Sequence, residues 1–569
     1  MATIPSESPN ILVKEIDLTG QVPGVTSSTG AFVGKFNWGP VNTPILVGNE
    51  AALVENFGSP YVNDSAGSRD FLTAAYFLKY SGSLYVVRGG DSDTMKNAGD
   101  SIGLASFIPS RNDWEAGEPA AASDFFAKYP GLLGNSLAVK VCNGSSNFNA
   151  FNASVDSSFD AAPGTSSGVS SAGGSNDELH LAVVDSDGLI SGERGTILET
   201  FAFLSGATDA KKSDGGSNYA KTVVNAQSEY IWLKDLSDKT GFGTASASYT
   251  GNSSDTTTST GLRGGNFGQF NAAEYLDGAS QFNDADTIQV DFLIAPGLDS
   301  STDAATVTNN LIAITEGPAR RDCVVVASPA YDDVIGIKPV NATANVVATA
   351  NSYTFSNYLA VDNNWLKVYD KYKDEYTNIP ASSSTAGLMA STDLVADPWF
   401  SPAGQRRGRY LGVTSLAYNA DRTQRDTLYK ASVNPIANIP GQGVLLYGDK
   451  THQNRPSAFD RINVRRLFLV LERAIKAASQ NVLFELNDEF TRAEFVNVVE
   501  PFLREVKGRR GVTDFRVVCD ETNNTPSVID ANRFVASIFI KPARSINYVT
   551  LNFVAVRSGV EFEEITGVV

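Results

Sequence analysis

A chain of 569 residues exceeds what one hydrophobic core supports, so two to four domains are expected. Its composition, 42% hydrophobic and 19% charged, is that of ordinary globular protein, and a net charge of −18 argues against general nucleic-acid binding. Three widely spaced cysteines, Cys142, Cys323 and Cys519, form no C-x-x-C, which leaves no zinc-ribbon or dithiol motif, and no run approaches the roughly 18 apolar residues of a membrane span.

The opening MATIPSESPN has neither a basic nor an apolar stretch, so a secretory signal is not expected. ILVKEIDL, residues 11–18, reads as a short strand between Pro9 and Gly20. Ile11 and Val13 lie on one face and Leu12, Ile16 and Leu18 on the other, so the strand needs a sheet to join, in its own subunit or in a neighbour. STGAFVGKFNWGP, 28–40, predicts a strand and turn. Residues 69–80 space Phe71, Leu72, Ala75, Tyr76 and Leu78 as a helix, with Ser68 as its N-cap, and LYVVRGG follows as a buried strand.

Composition changes after about Asp91. FFAKYPGLLGNSLAVKV, 125–141, is an ordered island, whereas 143–177 is rich in Ser, Gly, Ala and Asn and predicts long loops. The stretch 240–260 predicts another surface loop. From Thr287 the pattern sharpens: a strand in TIQVDFLIAPG, a helix over 304–316 and a strand in RDCVVVASP predict a right-handed parallel β-α-β unit. The loop APGLDSST after the first of these strands lacks a phosphate-cradling glycine pattern.

The C-terminal third is the most regular. A helix over 464–479 carries a stripe of Leu467, Val470, Leu471, Ala474, Ile475 and Ala478, with Glu472 and Lys476 as an outer i,i+4 pair. NVLFEL predicts a strand. A second helix is predicted from a capping box at Thr491 and Glu494, through Pro501, to Gly508. FRVVCD, RFVASIFIKPA and INYVTLNFVAVR predict strands, and GVEFEEITGVV a last short one. Residues 404–510 hold 18 Lys/Arg against 11 Asp/Glu, a net of +7 that leaves −25 for the remainder and suggests a surface meeting an acidic partner.

Motifs of bond chemistry are missing. His180, bordering the low-complexity stretch, and His452, in DKTHQN, read as surface or turn residues without metal-ligand neighbours. No G-x-S-x-G occurs, and GLRGGNFG lacks both Walker and dinucleotide spacing. Glu561, Glu563 and Glu564 diverge on a strand, so no metal or cofactor is expected.

Several stretches, in order, resemble the contractile tail sheath proteins of bacteriophages, most closely the type found in large enterobacterial and cyanobacterial phages. They are SPNILVKEIDLTG, STGAFVGKFNWGP, FFAKYPGLLGNSLAVKV, YAKTVVNAQSEYIWL, LRGGNFG, FLIAPG and SSSTAGLMASTDLVADPWFSPAGQRRG, then NPIANIPGQGVLLYGDKT and INVRRLFLVLERAIKAAS within 434–479. The resemblance implies an α+β and α/β multidomain fold, with a mixed α/β C-terminal core, terminal strand arms and inserted β-rich outer domains. The expected division is an arm 1–20, a first core part 21–91, an exposed β-rich insertion 92–190, a middle α/β domain 191–380, a sheath core 381–557 and an arm 558–569.

It further implies a structural subunit and no enzyme. Hexameric rings would stack helically around a tail tube, joined by strands exchanged through Ile11, Val13, Ile16, Leu18, Val560, Phe562 and Ile565. Contraction would drive the tube through the host envelope for genome delivery. Partners would be the tube protein, baseplate proteins and the tail terminator or neck, with no nucleic acid and no direct membrane insertion. The site would be the virion tail, assembled in the host cytoplasm. Combined with the basic segment, this reading makes Arg504, Lys507, Arg509 and Arg510 candidates to face the tube. Two other readings are the sheath of a bacterial contractile bacteriocin or secretion system, and a glycan-binding surface module formed by 92–190.

Overall fold

The computed structural model describes residues 28–60, 65–100, 106–119, 123–146, 148–236, 242–249 and 260–547. The chain divides into two compact units, 1–485 and 486–569.

The first unit is organised by a seven-stranded sheet. Its order is Val433–Asn434, Leu359–Asp362, Val324–Ala327, Phe292–Ile294, Gly30–Gly34, Leu84–Arg88 and Pro44–Val47. All neighbours are parallel except the edge strand Pro44–Val47. The strand residues are apolar on both sides because both faces are covered. Phe32, Phe292, Ile294, Val324, Val326 and Ala360 enter one core with the helices Ser65–Leu78 and Ser382–Val395. Ala31, Val33, Leu293, Val325, Leu359 and Val361 enter the other with Ser301–Glu316 and Pro339–Ser352. The β-α-β unit expected from 287–329 is present as a parallel pair. Ser68, expected as an N-cap, lies inside the Ser65–Leu78 helix, where its hydroxyl donates to the Pro60 carbonyl.

Between the strands Leu84–Arg88 and Phe292–Ile294 lies an antiparallel insertion. Strands Thr196–Ser205, Glu178–Asp185, Leu137–Cys142 and Thr260–Gly261 form one sheet, and Phe125–Ala127 pairs with Ile231–Leu233. The polar stretch 143–177 is more ordered than its composition suggests. It holds the short helices Phe148–Ala153 and Ser167–Ser171, and its sparse aromatics Phe151 and Phe159 are buried with Val155, Cys142 and Ala182.

His180 belongs to this small core, not to a surface turn. It is fully buried, its Nε2 donates to the Ala161 carbonyl, its Nδ1 accepts the Phe203 amide, and its ring stacks on Phe159. His452 is likewise buried, against Phe355. All three cysteines are buried and free.

The last helix of the first unit is Ile462–Ser479. The expected Glu472–Lys476 pair does not form: Glu472 pairs with Arg465 at 3.4 Å and Lys476 with Asp286 at 3.4 Å. NVLFEL is not a strand either. A 3-10 turn occupies Gln480–Val482, and Leu483 and Phe484 are exposed.

The second unit packs the helix Glu489–Gly508 on an antiparallel pair, Val512–Val518 with Ser537–Pro542. The helix starts earlier than the expected capping box: Asp488 is the N-cap and accepts the Thr491 amide at 2.8 Å. The helix runs on through Pro501, whose missing N–H does not end it. Phe495, Val499, Leu503 and Val506 form its buried stripe.

Candidate assembly surfaces

In open parallel sheets, ligands enter at the carboxyl ends of strands where the winding reverses. Here that point lies between Gly30–Gly34 and Phe292–Ile294, and protein side chains fill it. Asp70 accepts the Lys35 amide at 2.8 Å and the Tyr275 hydroxyl at 2.6 Å, and Arg69 pairs with Asp299 at 2.6 Å. Burial pushes Asp70 up to about 7, against the lowering effect of those hydrogen bonds.

A second buried carboxylate, Asp362, sits at the end of the neighbouring strands. It accepts Ser328 Oγ at 2.9 Å and Thr385 Oγ1 at 3.2 Å, and burial pushes it up to about 7. The Ser382 amide donates to Ser328 Oγ and its hydroxyl to the Ala295 carbonyl, tying three strand ends to the Ser382–Val395 helix. Among the described residues, no three His, Cys, Asp or Glu side chains are placed to hold a metal, and no helix is long and apolar enough to cross a membrane.

Much of the basic segment turns inward. Arg473 donates to Asp291 at 2.6 Å and to the carbonyls of Val290 and Asp322. Arg466 pairs with Asp393, donates to the Met389 carbonyl and lies over the Phe292 ring. Arg465 lies over Tyr358 at 4.3 Å. Burial pushes Asp291 up to about 6, with Arg473 and the Thr29 amide opposing it. These arginines clamp the Ile462–Ser479 helix to the sheet. Charge counting missed this role, although arginines flanking the apolar stripe of an amphipathic helix are the available signal.

The four tube-facing candidates do converge at the C-terminal end of Glu489–Gly508, and all are exposed. Their charges are largely matched within the unit. Arg504 lies 3.5 Å from Glu500, Lys507 3.1 Å from Asp514 and Arg509 3.6 Å from Glu505, whereas Arg510 has no ion-pair partner among the described residues.

The expected strand-exchange residues Ile11, Val13, Ile16, Leu18, Val560, Phe562 and Ile565 lie outside the described residues. What the second unit offers is visible. Its sheet has two strands, each with one free edge among the described residues. Leu486, Phe490 and Phe539 are 77%, 77% and 60% exposed, a large apolar exposure for so small a unit.

The fold is that of sheath proteins from contractile particles. A sheath tail protein from Listeria innocua superposes with a TM-score of 0.53 at 12% identity, covering 92% of this chain and 97% of that one. The helical sheath of the anti-feeding prophage in its contracted state gives 0.52 at 13% identity, covering 97% and 99%.

Sequence comparison is more specific. The phage tail sheath C-terminal domain matches residues 454–555, the phage tail sheath protein central domain 268–452, and the tail sheath protein Gp18 domain III N-terminal region 27–88. The tail sheath protein of Enterobacteria phage T4 is 34% identical over 98% of this chain and 99% of its own length. That of Vibrio phage KVP40 is 32% identical over 98% and 99%. The chain belongs to the phage tail sheath family.

Proposed function

We propose that this protein is the structural subunit of a contractile phage tail sheath. Subunits polymerise as stacked hexameric rings around the tail tube, held in an extended state, and contract to drive the tube through the host envelope. The observation that carries this is end-to-end similarity to phage tail sheath proteins, at 34% identity over 98% of the chain. Partners in this reading are further copies of the chain, the tube, the baseplate and the tail terminator. The protein is carried in the virion tail after assembly in the host cytoplasm.

No bond chemistry is required. Contraction proceeds when the compact lattice buries more favourable interface than the extended one, and interfaces above about 2,000 Å² per pair leave ample margin for such a difference. The two-stranded sheet of the second unit, with edges open among the described residues and with exposed Phe539, suits addition of strands from neighbouring copies. The arms 1–20 and 558–569 are the segments we assign to that exchange. The insertion following residue 91 forms an outer domain.

Arg504, Lys507, Arg509 and Arg510 are proposed to face the tube. Surface ion pairs such as Arg504–Glu500 are worth little, so these residues can re-pair with an acidic partner at small cost. Reversing all four charges is expected to abolish tube-templated assembly with only a small fall in melting temperature, because three of the four positions lie beside Glu500, Asp514 and Glu505. Normal assembly and length on the tube would refute this assignment.

Expressing the full chain, and a form lacking both arms, tests the polymer reading by negative-stain electron microscopy. Long hollow tubes are expected from the first and isolated particles from the second. Monodisperse particles from both would contradict it.

A further inference from the structure

A cleft of about 520 Å³ opens between the 37–59 segment and the inserted domain. Trp38 lies in its wall, edge-on to Tyr129 at 5.4 Å and tilted against Tyr230 at 6.4 Å. Glu55 and Glu229 stand on its rim, both exposed and neither in an ion pair among the described residues. The one cation in the lining, Lys128, is committed: its Nζ bonds the Ser228 carbonyl and lies 4.8 Å from the Trp232 ring centre. The Tyr230 hydroxyl is held above its ordinary range by burial and then by Glu199, Glu229, Asp185 and Glu55. Aromatic rings with uncommitted carboxylates in a negative field suit a guanidinium or ammonium group.

The chain also carries a matching knob. Residues 404–409 form a turn bound tightly to the Gly443–Leu446 strand. Gly404 donates to the Leu446 carbonyl at 2.9 Å, Gly408 to the Gly404 carbonyl at 2.8 Å, and Leu446 to the Gly408 carbonyl at 2.8 Å. Gly404 has φ +86°, and a Cβ at Gly408 would meet Gly404 N at 2.8 Å, so both glycines are required by the turn. Arg407 is folded back onto the Ser401 carbonyl and the Phe400 ring. Arg406 and Arg409 remain exposed and have no carboxylate partner among the described residues. A rigid turn presenting two unpaired arginines loses little freedom on docking.

We propose that the Trp38–Tyr129–Tyr230 cleft is an interaction surface for the arginine turn 404–409 of a second copy of this chain. The inference rests on the assembly reading above and adds to it a specific contact: arginine side chains seated among the rings, between Glu55 and Glu229.

Paired cysteine variants of the full chain test it, since the three native cysteines are buried. A Ser59→Cys chain, altered in the cleft lining but not at either carboxylate, and a Gln405→Cys chain are co-assembled and treated with a short bismaleimide, with electron microscopy of the same samples. A cross-linked dimer is expected only from the mixture. Adding Arg406→Glu and Arg409→Glu to the second chain should cut its yield at least about tenfold. Adding Glu55→Lys to the first should restore it. Glu55, Gln405, Arg406 and Arg409 are exposed and Ser59→Cys is close to isosteric, so the melting temperature should not move. Normal tubes without the cross-link, or a cross-link indifferent to the charge changes, would overturn this contact and leave the assembly reading standing. A chain that forms no polymer at all would overturn both. Protection of the thiol introduced by Ser59→Cys, by free arginine or by a neutral saccharide and with no cross-link in tubes, would overturn the contact and assign the cleft to a small ligand instead.

Discussion

Arg473 shows why a basic segment need not be a basic surface. Its guanidinium joins Asp291 to the carbonyls of Val290 and Asp322, in a site where both side chains are nearly buried. Removing one partner leaves the other charged and desolvated, so Arg473→Ala is expected to cost about 3–5 kcal/mol in urea unfolding of the monomer. Loss of less than about 1 kcal/mol would show that the pair is solvated. Asp362 carries a pH signature. Its folded pKa, about 7, lies above the ordinary carboxyl value of 3.8, so the folded state binds its proton more tightly. Its stabilising contribution is complete below about pH 3.8 and is lost as pH rises through about 7. Asp362→Asn should therefore flatten the fall in stability between about pH 4 and 7, read by denaturant midpoints, and an unchanged slope would assign that fall elsewhere. Asp70, at about 7, and Asp291, at about 6, titrate in the same window and contribute to the remaining slope.

Regular elements were legible where one periodicity covered a long run. The Ile462–Ser479 helix, the β-α-β unit ending at Ala327 and the strand Leu84–Arg88 lie where apolar spacing put them, although in the helix Val470 and Ile475 are only half-buried and Leu469 is buried instead. Errors fell where local pattern competes with tertiary context. NVLFEL has strand-forming residues, but with no strand to pair among the described residues it becomes a turn that leaves Phe484 exposed. Thr491 and Glu494 match a capping box, yet Asp488 three residues earlier takes the cap and lengthens the helix by a turn. The burial of His180 depends on Phe159 and Phe203 folding over it from both sides, which no window around His180 displays. Close packing is equally hidden. Gly387 sits inside the Ser382–Val395 helix, where a Cβ would lie 2.5 Å from the Tyr80 ring, so it sets how near that helix approaches Ser65–Leu78. Gly387→Leu is expected to destabilise by about 1–3 kcal/mol in thermal unfolding despite its better helix propensity. A gain in stability would mean that the helices can separate.

At the scale of the whole molecule, the first unit is a rigid-looking doubly wound body whose polar ligand crevice is filled by Asp70, Tyr275, Arg69 and Asp299. The second unit is a small module of one long helix on two antiparallel strands, with exposed Phe490 and Phe539 and, among the described residues, open strand edges. That division suits a subunit that moves as a body while its links to neighbours persist. The family resemblance was legible from ordered motifs spread across the chain. The inward arginine clamps and the cleft at Trp38 were not, because each joins residues far apart in sequence. The most direct measurement is cryo-electron microscopy of tails from the particle that carries this chain, before and after contraction. A sleeve of hexameric rings around the tube is expected, with the first unit superposing between the two states while ring radius and subunit tilt change. A sleeve lacking this chain, or a first unit refolded between the states, would contradict a contractile sheath built from rigid bodies.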